Sequence, residues 1–256
     1  MQAATESAAG FAKTLSWVGL CVMMVLMFRG SYAMMVGCEV FQMIMYHYFL
    51  VIQLPYNYSN FLIGLNAFNF QFFPNILQSS VPAGYVTPNM PTYYTLMIPD
   101  TAFFISSGQY IMIVILYLGW ALMISLLKNK GINKWRPLRK YCKGVFERRI
   151  RFSAVHECLW VCYISFVFFG LLQLQNLSVY GSWSYGNIIL SIGCWFFCVL
   201  LSGWVIFLAL KYKNDMTKVP KKHSFILGED SHMPFELPLR HVRKLLFCIF
   251  LVMPYF

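Results

Sequence analysis

The stretch GCEVFQMIMYHYFLVIQLP, Gly37 to Pro55, sets a carboxylate, an amide and an imidazole in a run otherwise suited to hydrocarbon. An ionisable group is expensive inside a bilayer, so Glu39 and His47 are functional candidates by default. At about 100° per residue, Glu39, Gln42, Met43, Tyr46 and Leu50 share one helical face. His47 lies roughly 80° from Glu39, on the flank. The polar face is therefore a stripe of Glu39, Gln42 and Tyr46 with His47 beside it, and Glu39 and His47 do not make a dyad. Two readings of that face stand side by side. One is hydrogen bonding between helices of a bundle, on the order of 0.6 kcal/mol per bond. The other is a wet, acidic surface along a cation path or gate.

Either reading needs a membrane, and the composition supplies the argument for one. Hydrophobic residues make up 59% of the 256, charged residues 11% and aromatic residues 18%. A soluble domain carries roughly 25% charged residues. The fold class expected is all-α, a polytopic transmembrane helical bundle. Runs long and apolar enough to cross occupy residues 11–28, 32–54, 110–127, 157–174 and 188–210. A sixth run, Leu245–Phe256, ends after 12 residues and is expected to be the start of a helix, so the 256 residues are expected to form a single transmembrane domain within a longer chain. The runs are continuous rather than alternating, which disfavours a barrel.

Charge distribution orients the bundle. Ten Lys and Arg residues fall in 128–152 and eight more between Lys211 and Lys244, together 18 of the 20. The segments 55–109 and 175–187 contain none. This asymmetry predicts that the two basic segments face the cytoplasm. In the first, Leu138, Tyr141, Val145 and Phe146 recur at helical spacing among Arg136, Arg139, Lys140, Lys143, Arg148, Arg149 and Arg151. Such a helix lies in the inner interface with its cations on anionic inner-leaflet lipids. The second basic segment reads as an extended linker with LRHVRK, from Leu239, as an inner anchor. Nucleic-acid binding would need a folded basic domain with a recognisable motif, and none is present. Two N-x-S acceptors, at Asn57 and Asn176, lie in the segments without basic residues. Their use would require a secretory-pathway membrane.

The segment from Pro55 to Gln109 is rich in aromatics and holds one acidic residue, Asp100. It is expected to pack across the outer mouths of the helices; a re-entrant hairpin is the alternative. Seven of the eight cysteines lie in apolar runs and the eighth, Cys142, in a basic loop, which suits small packing residues rather than a disulfide framework or a zinc site. The N-terminus lacks the basic start and cleavage site of a signal peptide. G-x-S-x-G, HExxH, P-loop and CxxC patterns are missing, as is a potassium-filter sequence. Of the five histidines only His47 lies deep in a run, so a bis-histidine haem is not expected. No catalytic residue, cofactor or metal is assigned.

The second run and the residues after it, VFQMIMYHYFLVIQLPYNYSNFLIGLNAFNFQFFPN, together with the later LRHVRKLL, form a pattern that resembles the membrane region of large ciliate cell-surface proteins with cysteine-rich repeats. The features that carry the resemblance are the Gln-containing helix, the P-x-N step at Pro55 and Asn57, the FFPN element from Phe72 to Asn75, and the basic lead-in to a span. Those regions are distantly similar to TRP/polycystin-like channels. The repeats expected upstream are absent from this chain. The resemblance implies a cation channel or channel-related subunit in a plasma or ciliary membrane. The alternative is a non-enzymatic anchor or accessory subunit holding other membrane or extracellular subunits, which predicts a dry second helix, with Glu39 protonated or hydrogen-bonded to a neighbouring helix, and extensive partner contacts through the loop 55–109. A mitochondrial inner-membrane accessory subunit is the third reading.

Overall fold

A helix with no polar face has to sit in the middle of a bundle, and one helix of this chain answers to that description. In the computed structural model, Ser153–Gln175 packs on four other helices, and every residue from Cys158 to Gly170 is buried. The structure describes residues 32–50, 54–65, 73–85, 102–129, 153–175, 181–213 and 236–253, together with residues 10, 11, 13–15, 17–19, 21, 100 and 177. Six helices are numbered in chain order: α1 (Tyr32–Tyr46), α2 (Tyr56–Gly64), α3 (Phe103–Asn129), α4 (Ser153–Gln175), α5 (Gly181–Tyr212) and α6 (Glu236–Val252). Among the described residues there is no strand. Short 3-10 turns lie at His47–Phe49 and Gln78–Ser80.

Helices α1, α3, α5 and α6 surround α4. Their contacts are largely aromatic: Phe168 stacks on Phe49 at 5.0 Å and takes Tyr46 edge-on at 5.0 Å, while Phe166 meets Phe103 and Tyr110, each at 6.2 Å. The outward faces are apolar as well. Leu116, Leu122 and Leu126 on α3 and Ile189, Phe196, Phe197 and Phe207 on α5 are exposed. Meanwhile Glu39, Gln42, Gln173, Asn187, His241 and Lys244 are buried. A water-soluble domain distributes its side chains the other way round. Among the described residues three helices are long and apolar enough to cross a membrane: Phe103–Met123, Cys158–Gln175 and Trp183–Tyr212.

The expected spans and the observed helices differ at their ends. Helix α3 starts at Phe103 instead of Tyr110, and α5 at Gly181 instead of residue 188. The added turns carry Ser106, Ser107, Gln109, Ser184 and Asn187, all buried. Hydropathy sees polarity in those turns, whereas the fold uses it for hydrogen bonds: Ser106 and Ser107 donate to the Asp100 and Phe103 carbonyls, and Asn187 joins α5 to α3 and α4. In the run 32–54, α1 ends at Tyr46, a 3-10 turn follows, and Leu50 is extended with ψ 137°. Helix and turn together rise about 28 Å, close to the roughly 30 Å of a hydrocarbon core. Pro55 then caps α2, its carbonyl accepting from the Tyr58 and Ser59 amides at 2.9 and 3.0 Å. Residues 245–252 of the run expected at 245–256 belong to α6, which starts at Glu236, and residues 254–256 lie outside the described residues. Of the run 11–28, residues 11, 13–15, 17–19 and 21 are helical and the remainder lie outside the described residues.

Candidate functional site

Helix α6 carries its polarity on the inside. Arg240, His241, Lys244, Cys248 and Leu251 recur at i, i+1, i+4, i+8 and i+11, which puts them on one face. His241, Lys244, Cys248 and Leu251 are buried. On the opposite face Leu239, Val242, Leu246, Ile249, Phe250 and Met253 are exposed. Pro238 falls in the first turn, where its missing N–H costs no helical bond.

The buried face meets the Glu39 stripe of α1. Arg243 donates from Nη2 to Glu39 Oε1. Glu39 Oε2 lies 3.6 Å from Lys244 Nζ and 3.7 Å from Arg240 Nη1. The side chains of Glu39 and Lys244 are both 0% exposed, whereas Arg240 is 21% and Arg243 52% exposed. A buried ammonium is tolerated only when charges and dipoles surround it. Besides Glu39, Lys244 has the Trp160 ring, with its centroid 3.6 Å from Nζ, and the Trp160 carbonyl at 3.4 Å.

His241 extends this cluster to α5. Its ring stands edge-on to Trp160 at 4.7 Å and to Tyr163 at 5.2 Å. Its Nδ1 lies 3.4 Å from Ser202 Oγ, which also meets the Tyr163 hydroxyl at 2.9 Å and donates to the Cys198 carbonyl at 2.9 Å.

The other two groups of the stripe bond to α4. Gln42 Nε2 donates to the Val161 carbonyl at 2.9 Å, and the Tyr46 hydroxyl donates to Ser165 Oγ at 3.0 Å. His47 is turned aside: its Nδ1 lies 2.6 Å from the Met43 carbonyl and its ring 5.4 Å from that of Phe247. Glu39, Gln42 and Tyr46 thus act together on α4 and α6, and His47 does not join them.

At the opposite end of α4 a hydrogen-bond network ties α3 to its neighbours. The first amides of a helix have no partner within it. Here the Phe103 N–H donates to Gln173 Oε1 of α4 at 3.0 Å and the Phe104 N–H to Asn187 Oδ1 of α5 at 2.7 Å. Asn187 Nδ2 donates in turn to Gln173 Oε1 at 2.6 Å. Asp100 Oδ1 accepts from the Ala102 amide at 2.9 Å and the Tyr85 hydroxyl at 3.0 Å. Asn75, of the FFPN element, donates to the carbonyls of Phe104 at 3.1 Å and Ile105 at 2.5 Å. Gly108 makes that approach possible, since a Cβ there would fall 1.7 Å from Asn75 Oδ1.

Asn57 lies in the first turn of α2. Asn176 and the inner-anchor residues Arg136, Arg139, Lys140, Lys143, Arg148, Arg149 and Arg151 lie outside the described residues. Among the described residues no group of His, Cys, Asp and Glu could hold a metal ion. Sequence reasoning did not find the partners of Glu39. It placed Arg240, His241, Arg243 and Lys244 in an inner loop, although their spacing in LRHVRKLL already puts Arg240, His241 and Lys244 on one helical face.

Among the described residues, helices without strands, three of them able to cross a bilayer, with buried charge and an apolar exterior, together mark a membrane protein. No protein-family model, curated protein or solved structure matches this chain.

Proposed function

We propose that this chain is a non-enzymatic membrane scaffold, an anchor or accessory subunit that holds a larger membrane or cell-surface assembly. The observation that carries the reading is the environment of Glu39. One carboxylate is surrounded by three cations, and the two polar groups below it on α1 bond directly to α4. A cation path needs an acidic surface in contact with water. A carboxylate with zero exposure and an excess of positive charge around it repels cations. The same groups suit a clamp between helices. The resemblance to TRP/polycystin-like membrane regions fits a channel-related subunit whose α1 face serves packing.

The same proposal takes α1 with its 3-10 turn, the run at 11–28 and α6 into the bilayer beside the three long helices. It sets the aromatic segment 55–109 outside and the basic segments inside. A plasma or ciliary membrane is the location proposed. A glycan on Asn57 or Asn176 would support it, and import into mitochondria with both sites unmodified would favour the inner mitochondrial membrane instead.

Glu39→Gln tests the functional reading. The expected result is a smaller or less stable assembly on native gels, with cation permeability of reconstituted vesicles unchanged. A conductance that depends on Glu39 would overturn the scaffold and restore the cation path.

A further inference from the structure

Helix α6 brings a positive excess to the edge of an apolar surface. Three cations, Arg240, Arg243 and Lys244, lie within 4 Å of the Glu39 carboxylate. Lys244 is enclosed, but Arg243 is half exposed. On the helical wheel Arg243 is about 40° from Leu239 and about 20° from Phe250, at the margin of the exposed stripe that Val242, Leu246 and Met253 continue. A guanidinium has five N–H donors in a planar fork, and Glu39 Oε1 engages one nitrogen of Arg243. Left against acyl chains alone, such a group is costly. It reaches for the interface or for an anionic partner.

Resting on the membrane reading above, we infer that Arg243, supported by Arg240, binds the phosphate of an anionic phospholipid whose acyl chains lie along Leu246, Ile249 and Phe250. The two halves of the site match the two halves of the ligand. A cation excess faces the phosphodiester, which Arg can hold through two parallel bonds, and an apolar stripe begins where the headgroup ends. Glu39 holds the guanidinium in place and prevents the site from carrying the full charge of three cations. Continuity with the basic segment 211–244 puts this end of α6 on the leaflet where anionic lipids concentrate.

The test uses the full chain reconstituted in vesicles of phosphatidylcholine and phosphatidylserine, extracted in mild detergent, with the retained lipid counted by mass spectrometry. Phosphatidylserine should be retained over phosphatidylcholine, and Arg243→Gln should lower that retention about fivefold. Lys211→Gln, at the end of α5, should leave it unchanged. An equal loss in both variants would mean diffuse charge attraction and would overturn the site. Displacement by inorganic phosphate would assign the cation pair to a soluble phosphate and would overturn the lipid. Should Arg243→Gln fail to fold, a photoactivatable phosphatidylserine on the wild-type chain decides. Crosslinks within residues 239–250 support the site, and crosslinks confined to other helices overturn it. Equal retention of both lipids with Glu39-dependent assembly intact would end this inference and leave the scaffold standing. A Glu39-dependent conductance would do the reverse.

Discussion

Replacing Glu39 by Gln removes one charge and almost no volume, so its effect isolates the clamp. The loss falls mainly on Lys244. Arg243 and Arg240 retain 52% and 21% exposure and can turn outward, but Lys244 has none. Removing one partner of a buried pair costs about 3–5 kcal/mol, because the remaining charge is stranded. Lys244 would keep its contact over Trp160, worth about 2 kcal/mol when desolvated, which sets the expectation near the lower bound, about 3 kcal/mol. An ordinary bond between membrane helices contributes about 0.6 kcal/mol, so the clamp should exceed any single neutral contact in the bundle. Equilibrium unfolding in mixed micelles, followed by circular dichroism, measures the difference. Adding Lys244→Met should recover most of the loss, since exchanging a buried pair for apolar groups is close to neutral. A destabilisation of about 0.6 kcal/mol or less for Glu39→Gln, the size of an ordinary bond, or a further loss on adding Lys244→Met, would refute this reasoning.

Tyr46→Phe deletes the bond to Ser165 and keeps the ring on Phe168, so the same unfolding assay should show a small loss, about 0.6 kcal/mol. Gly108→Ala drives a methyl group into Asn75 and should cost about 1–3 kcal/mol, the range of an overpacked site. Asn75→Ala removes both bonds to the Phe104 and Ile105 carbonyls. The double variant should be no less stable than Asn75→Ala alone, because the side chain that clashes has gone; additive losses would show that Gly108 meets something else.

The long helices were legible in the sequence because their apolar runs are continuous. Residues 157–174 lie inside α4, 188–210 inside α5 and 110–127 inside α3. Their outer turns were not legible. Ser106, Gln109 and Asn187 lower hydropathy where the helices still continue, and the groups that bond the Phe103 amide and the Phe104 carbonyl, Gln173 and Asn75, are remote from them in sequence. Helical periodicity alone separated the Glu39, Gln42 and Tyr46 stripe from His47, because spacing along one helix is a local property. The partner of that stripe is not local. Arg243 is 204 residues from Glu39, and the density of charge in LRHVRK reads as an interfacial anchor until the helix is turned to bring Lys244 onto Trp160. The end of α1 was hidden for another reason. Val51, Ile52 and Leu54 continue the apolar run, although the helix has already given way to a 3-10 turn at His47.

Cation flux across vesicles holding the full wild-type chain, measured beside the Glu39→Gln variant and protein-free vesicles, tests most directly whether Glu39 clamps helices or lines a path. With Glu39 held dry by Arg240, Arg243 and Lys244, all three preparations should leak cations at the same rate. A wild-type flux well above the protein-free rate that collapses in Glu39→Gln would contradict the clamp.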